Sequence, residues 1–96
     1  MPRNQQAVES NLTSKGFAKS EGDHHYFHYY SKAGKKSRVF TKTSHGSKEI
    51  TDSLLALMAR QCKLTKADFL RLVDCPMSRD EYEATLVTQG LVDAPR

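Results

Sequence analysis

The run His24-His25-Tyr26-Phe27-His28-Tyr29-Tyr30 constrains this chain more than any other stretch. Every residue in it carries a ring, and it holds neither a helix breaker nor a helical period, so it reads as a β-strand. Alternation places His24, Tyr26, His28 and Tyr30 on one face and His25, Phe27 and Tyr29 on the other. Glu21-Gly22-Asp23 forms the turn before it. Ser31 to Lys36, with Gly34, reads as a basic hairpin loop, and Arg38 to Thr43 as the returning strand with Val39 and Phe40 as its apolar residues.

Helices flank this antiparallel unit. Gln5 to Ser14 carries a weak stripe of Ala7, Val8 and Leu12. Gly16 stands where a helix ends in the left-handed conformation, which brings Leu12 against Phe17. Ser47 is the expected N-cap of the main helix, which runs to about Cys62 with Glu49 in its first turn. Its expected buried stripe is Ile50, Leu54, Leu57, Met58 and Gln61, widened by Leu55. Thr65 caps a further helix, with Asp68 three residues on and Leu64 against Phe69. Ser78 caps the last, with Glu81 completing the box and Met77 against Tyr82, and Gly90 ends it between Leu86 and Leu91. One amphipathic helix cannot cover both faces of a sheet. The first and main helices are therefore expected on one face, leaving the other open.

At 96 residues the chain is sized for one domain. No apolar run approaches the roughly 18 residues of a membrane span, and the first residues lack a signal core. These features point to a cytoplasmic protein with no membrane partner. Cys62 and Cys75 fit no disulfide framework and no CxxC motif. Charge is divided unevenly: residues 1–48 hold nine Lys/Arg against three acids, and the remainder six against eight. A basic front half suits a polyanion.

All four histidines lie between residues 24 and 45, among most of those cations. Imidazole both accepts and gives protons near neutrality. Beside Lys and Arg on a sheet it suits scission of an RNA phosphodiester, whose nucleophile is the internal 2′-hydroxyl, and this needs no metal. Lys35, Lys36, Arg38 and Lys42 are the candidate phosphate contacts. A metal site is disfavoured: His24 and His28, four apart on a strand, stand about 13 Å from each other, and Tyr26 between them is a poor ligand. No P-loop and no nucleophile elbow is present.

Four pieces in order carry a family likeness: Leu12-Thr13-Ser14-Lys15-Gly16-Phe17, Gly22-Asp23-His24-His25-Tyr26-Phe27, His45-Gly46, and a Leu-rich helix ending Arg60-Gln61-Cys62-Lys63-Leu64. Over roughly residues 5–64 the chain resembles the HicA toxin family. The resemblance implies an α+β fold like that of the double-stranded-RNA-binding domain. That is an α-β-β-β-α core over residues 1–64, with helices on one face of a three-stranded antiparallel sheet. Residues 65–96 then form a helical extension packed on the same domain. It implies a metal-independent mRNA interferase with no cofactor, paired with a HicB-type antitoxin. His24 falls at the family's catalytic position, His25 at a second shared histidine grouped with the RNA contacts, and His45 near RNA or a helix N-terminus. The chain departs from the family in placing Asp23 where a small hydroxyl residue precedes the histidine, and in its Thr41-Lys42-Thr43-Ser44 strand end. The alternatives are a non-catalytic RNA-binding module and a protein-interaction domain, and the expected assembly is a monomer or weak dimer.

Overall fold

The computed structural model describes residues 3–43, 48–74 and 76–93. A two-residue strand β1 (Arg3–Asn4) leads into helix α1 (Gln5–Ser14). Strands β2 (Phe17–Glu21), β3 (His25–Tyr30) and β4 (Lys36–Thr43) follow, then a second short strand β5 (Glu49–Ile50). Helices α2 (Asp52–Gln61), α3 (Lys66–Val73) and α4 (Arg79–Thr88) complete the chain. β2, β3 and β4 form one antiparallel sheet in that order, and β1 pairs antiparallel with β5. The fold is α+β, with the α-β-β-β-α order of a double-stranded-RNA-binding domain and two helices beyond it. Among the described residues no helix is long and apolar enough to cross a membrane.

Local signals set most helix ends. Asn4 accepts the Ala7 N–H at 2.9 Å, Thr65 that of Asp68 at 3.2 Å and Ser78 that of Glu81 at 3.1 Å. Gly90, at φ +77°, donates to Val87 O at 3.0 Å while Leu91 donates to Leu86 O at 2.9 Å, the paired bonds of a Schellman ending. α2 ends the same way on Lys63 at φ +64°, with Lys63 N–H to Arg60 O and Leu64 N–H to Ala59 O. Sequence reading missed that ending because lysine is not a residue that favours the left-handed region.

Gly16 is required twice over. Its φ is +102°, and a Cβ there would lie 2.6 Å from Arg79 Nε and 2.9 Å from Tyr29 Cε1. Gly16→Ala is expected to destabilise the fold by more than the roughly 1–2 kcal/mol of left-handed strain alone. The urea midpoint measures it, and an unchanged midpoint would contradict this packing.

The start of α2 differs from expectation. Ser47 lies outside the described residues, but the cap is Thr51, whose hydroxyl accepts the Leu54 N–H at 3.3 Å, and the first-turn acid is Asp52. Glu49 sits in β5 opposite Asn4, and Gln5 N–H donates to Lys48 O at 3.0 Å. Pairing with the N-terminal segment therefore takes residues 49–50 out of the helix, a long-range effect that no local capping rule contains. The buried stripe moves as well. Leu55, Met58 and Ala59 are buried, with Cys62 one turn on, whereas Leu57 is 40% exposed.

One cluster runs from Val8 to Val92. Phe17, Phe27, Tyr29 and Val39 of the sheet meet Phe69, Leu72, Tyr82 and Leu86 of α3 and α4, so the C-terminal helices share the core. Tyr82 lies edge-on to Tyr29 at 5.1 Å, stacks near Phe17 at 5.7 Å, and donates its hydroxyl to Cys62 O at 2.9 Å. Buried Glu83 accepts from the Tyr29 hydroxyl at 2.6 Å and from Lys32 N–H at 2.8 Å. Burial, helped by that bond, pushes the Tyr29 hydroxyl up to about 12. Cys62 is enclosed in the core, and its burial pushes the thiol well above the ordinary range. Cys75 lies outside the described residues.

Candidate nucleic-acid interface

Strand register decides which side chains share a face. Tyr26 lies between Ser20 and Lys42, His28 between Ala18 and Phe40, and Tyr30 opposite Lys36. These residues look away from the helices, while Phe27, Tyr29, Val39, Thr41 and Thr43 are buried beneath them. Between His28 and Tyr30 the register of β4 shifts. The Ser37 hydroxyl bridges the gap, donating to Tyr29 O at 2.8 Å and accepting the Val39 N–H at 3.1 Å.

The open face carries a row of rings. His24 and Tyr26 centroids are 6.2 Å apart, Tyr26 and His28 are 6.4 Å apart with planes 25° off parallel, and His28 and Phe40 are 5.5 Å apart at 26°. Phe40 is 41% exposed. Across β2 the neighbours are the short side chains of Ala18 and Ser20, both exposed, so nothing large rises beside the row. Burial, and then the Lys36 charge, holds the His28 imidazole below its ordinary pKa of 6.5.

His24 stands half-buried at the turn that opens β3. It lines a depression of about 60 Å³ with Lys42, Thr43, Leu54, Leu57 and Gln61. Asp23 beside it accepts the Tyr26 hydroxyl at 2.8 Å. That bond holds the Asp23 carboxyl below the ordinary range, with desolvation working against it. The carboxylate is thus engaged by a phenol of the same face.

The candidate residues do not all converge. Lys36, Arg38 and Lys42 all belong to β4, where Lys36 and Arg38 are exposed and Lys42 half-buried. Lys36 and Lys42 lie opposite Tyr30 and Tyr26 of the open face. Lys35 instead sits on the hairpin loop and pairs with Asp93 at 3.1 Å. His25 faces the helices, with Nδ1 3.3 Å from Glu9 Oε2, and so is not brought together with the open-face residues. Strand alternation already separated it from His24, since neighbours on a strand point to opposite faces. His45 lies outside the described residues. The part of the row that sequence reading passed over is Phe40 against His28, a pairing that depends on the β4 register.

The larger cavity, about 410 Å³, opens at the other end of β3 between the hairpin loop and Leu91–Asp93. No histidine among the described residues lines it, and the length of β3, about 20 Å, separates it from His24. Among the described residues no group of three His, Cys, Asp or Glu side chains is placed to hold a metal ion.

Glu9 braces the covered face at the His24 end. It accepts the Thr43 hydroxyl at 2.6 Å and the Gln5 amide at 3.1 Å, and pairs with Lys19 at 3.4 Å. Burial works against its ionisation, but the two hydrogen bonds and the Lys19 charge together hold the carboxyl below its ordinary 4.5. A carboxyl lowered on folding stabilises above its unfolded pKa, and that stabilisation is lost as pH falls through the folded value. Unfolding midpoints are therefore expected to fall below about pH 4.5 more steeply in the wild type than in Glu9→Gln. Parallel acid limbs would remove Glu9 from this role.

Comparison with family models, with curated proteins and with solved structures finds no match to this chain.

Proposed function

We propose that this chain is a metal-independent endoribonuclease of the HicA kind, acting on mRNA through His24. One observation carries the reading: His24 shares a depression with Lys42 at the end of an uncovered, cation-bearing sheet face. In the reaction the ribose 2′ oxygen bonds to phosphorus and the bond to the 5′ oxygen breaks. The 2′ proton passes to the His24 imidazole, and the imidazolium returns a proton to the leaving 5′ oxygen. Lys42 offsets the charge that grows on the phosphate oxygens. His25 has no part in this reading, because it looks toward Glu9 on the other face.

A HicB-type antitoxin is the protein partner that belongs with this reading. It rests on the four sequence motifs and on the open face.

The test is the chemistry of the cut. Purified protein with a synthetic RNA and a chelator is expected to leave 2′,3′-cyclic phosphate and 5′-hydroxyl ends. A single 2′-deoxy substitution at the cut site is expected to abolish cleavage there. Cutting that survives the 2′-deoxy substitution, or intact RNA at high protein concentration, would contradict the proposal. In the second case salt-sensitive RNA binding would favour a non-catalytic binding module.

A further inference from the structure

We infer that the ring row Tyr26, His28 and Phe40 is a stacking platform for the unpaired bases of single-stranded RNA. This deepens the reading above and rests on it for the class of ligand. Three observations converge on it.

The rings form a continuous row 5.5–6.4 Å apart, with Tyr26 and Phe40 planes each within about 26° of the His28 plane between them. Bases have π faces whatever their sequence, and a row of this length on a sheet accommodates about two or three of them. The row is also accessible. Phe40 is one of the two large apolar side chains exposed among the described residues, and Ala18 and Ser20 leave the β2 side low.

Charge selects the occupant. Lys36, Arg38 and Lys42 on β4 form no ion pair with the described residues, whereas Lys32 and Lys35 on the hairpin loop are paired with Asp80 and Asp93. Asp23 is the carboxylate that touches the row, where it accepts the Tyr26 hydroxyl at 2.8 Å, and none stands among the residues paired across the sheet on this face. A polyanion with aromatic groups matches a face of rings beside free cations. A base-paired duplex keeps its π faces stacked inside, so it cannot use the rings. The row leads toward His24 through Tyr26, so bases seated on it would bring their phosphates toward the depression.

The experiment uses the whole chain and a 2′-O-methyl RNA oligonucleotide, which lacks the nucleophile and stays intact. Binding is read by fluorescence anisotropy for the single strand and for its duplex. The single strand is expected to bind more tightly. Phe40→Ala is expected to weaken binding roughly tenfold to a hundredfold, the range of one lost base stack. Phe40→Tyr is expected to keep the affinity and Phe40→Leu to lose it, because only the tyrosine retains a π face. Melting curves confirm that each variant is folded. Equal or tighter duplex binding, wild-type affinity in Phe40→Ala, or wild-type affinity in Phe40→Leu would each overturn the platform. No binding to any oligonucleotide would also overturn it and leave the face to a protein partner.

Cleavage separates this inference from its premise. Stacking-dependent binding without cutting of unmodified RNA keeps the platform and removes the nuclease. Cutting that is indifferent to Phe40→Ala does the reverse.

Discussion

Tyr82→Ala is expected to lower stability by about 3–5 kcal/mol, the range for deleting a fully buried large aromatic. The ring is 0% exposed and touches both Phe17 and Tyr29, the residues through which the sheet meets the C-terminal helices. Its removal opens a cavity between them and leaves the Cys62 carbonyl without the Tyr82 hydroxyl. For a domain whose total stability is on the order of 5–15 kcal/mol, this is a large share. The fall in Tm is expected to be on the order of 15 °C or more, read by circular dichroism. Tyr82→Phe keeps the volume and loses the hydrogen bond, so its effect is expected to be about 1–3 kcal/mol. Equal losses in the two variants would show that the hydroxyl, rather than the ring, ties these elements together. The same packing implies that a chain cut after Leu64 would expose Phe17 and Tyr29. The C-terminal helices complete the core.

Elements built from neighbouring residues were legible. The caps at Thr65 and Ser78, the left-handed glycines at 16 and 90, and the alternation of β3 all rest on spacings of a few residues. The α2 start was not legible, because it depends on backbone bonds between residues 3–5 and 48–50. Nor was the choice of buried stripe. Leu54, Leu57, Met58 and Gln61 compete at helical spacing with Leu55, Met58, Ala59 and Cys62. Periodicity weighs the two equally, and the surface that α2 meets decides between them. Leu54, Leu57 and Gln61 consequently line the depression beside His24.

The candidate site divides in the same way. Alternation placed Tyr26, His28 and Tyr30 together and turned His25 away from them. The register shift in β4, spliced by Ser37, is what brings Phe40 beside His28. No spacing rule locates a bulge from one strand alone. Charge counting likewise could not distinguish Lys35, which is paired with Asp93, from Lys36 and Lys42, which lie opposite open-face rings.

His24→Ala carries the second large effect. Imidazole is the proton carrier among the described residues that line this depression, so its loss removes both proton transfers of the proposed reaction. General acid–base catalysis contributes on the order of 10²–10⁴ in rate, and cleavage is expected to fall by that factor. The ring is half-buried at a turn and outside the buried core, so Tm is expected to change little. Cleavage of one RNA by wild type and His24→Ala, with melting curves of both, is therefore the most direct measurement. The expected result is a loss of at least about a hundredfold in rate with the melting curve retained. A folded His24→Ala that cuts at the wild-type rate would contradict the assignment of His24 as the proton carrier.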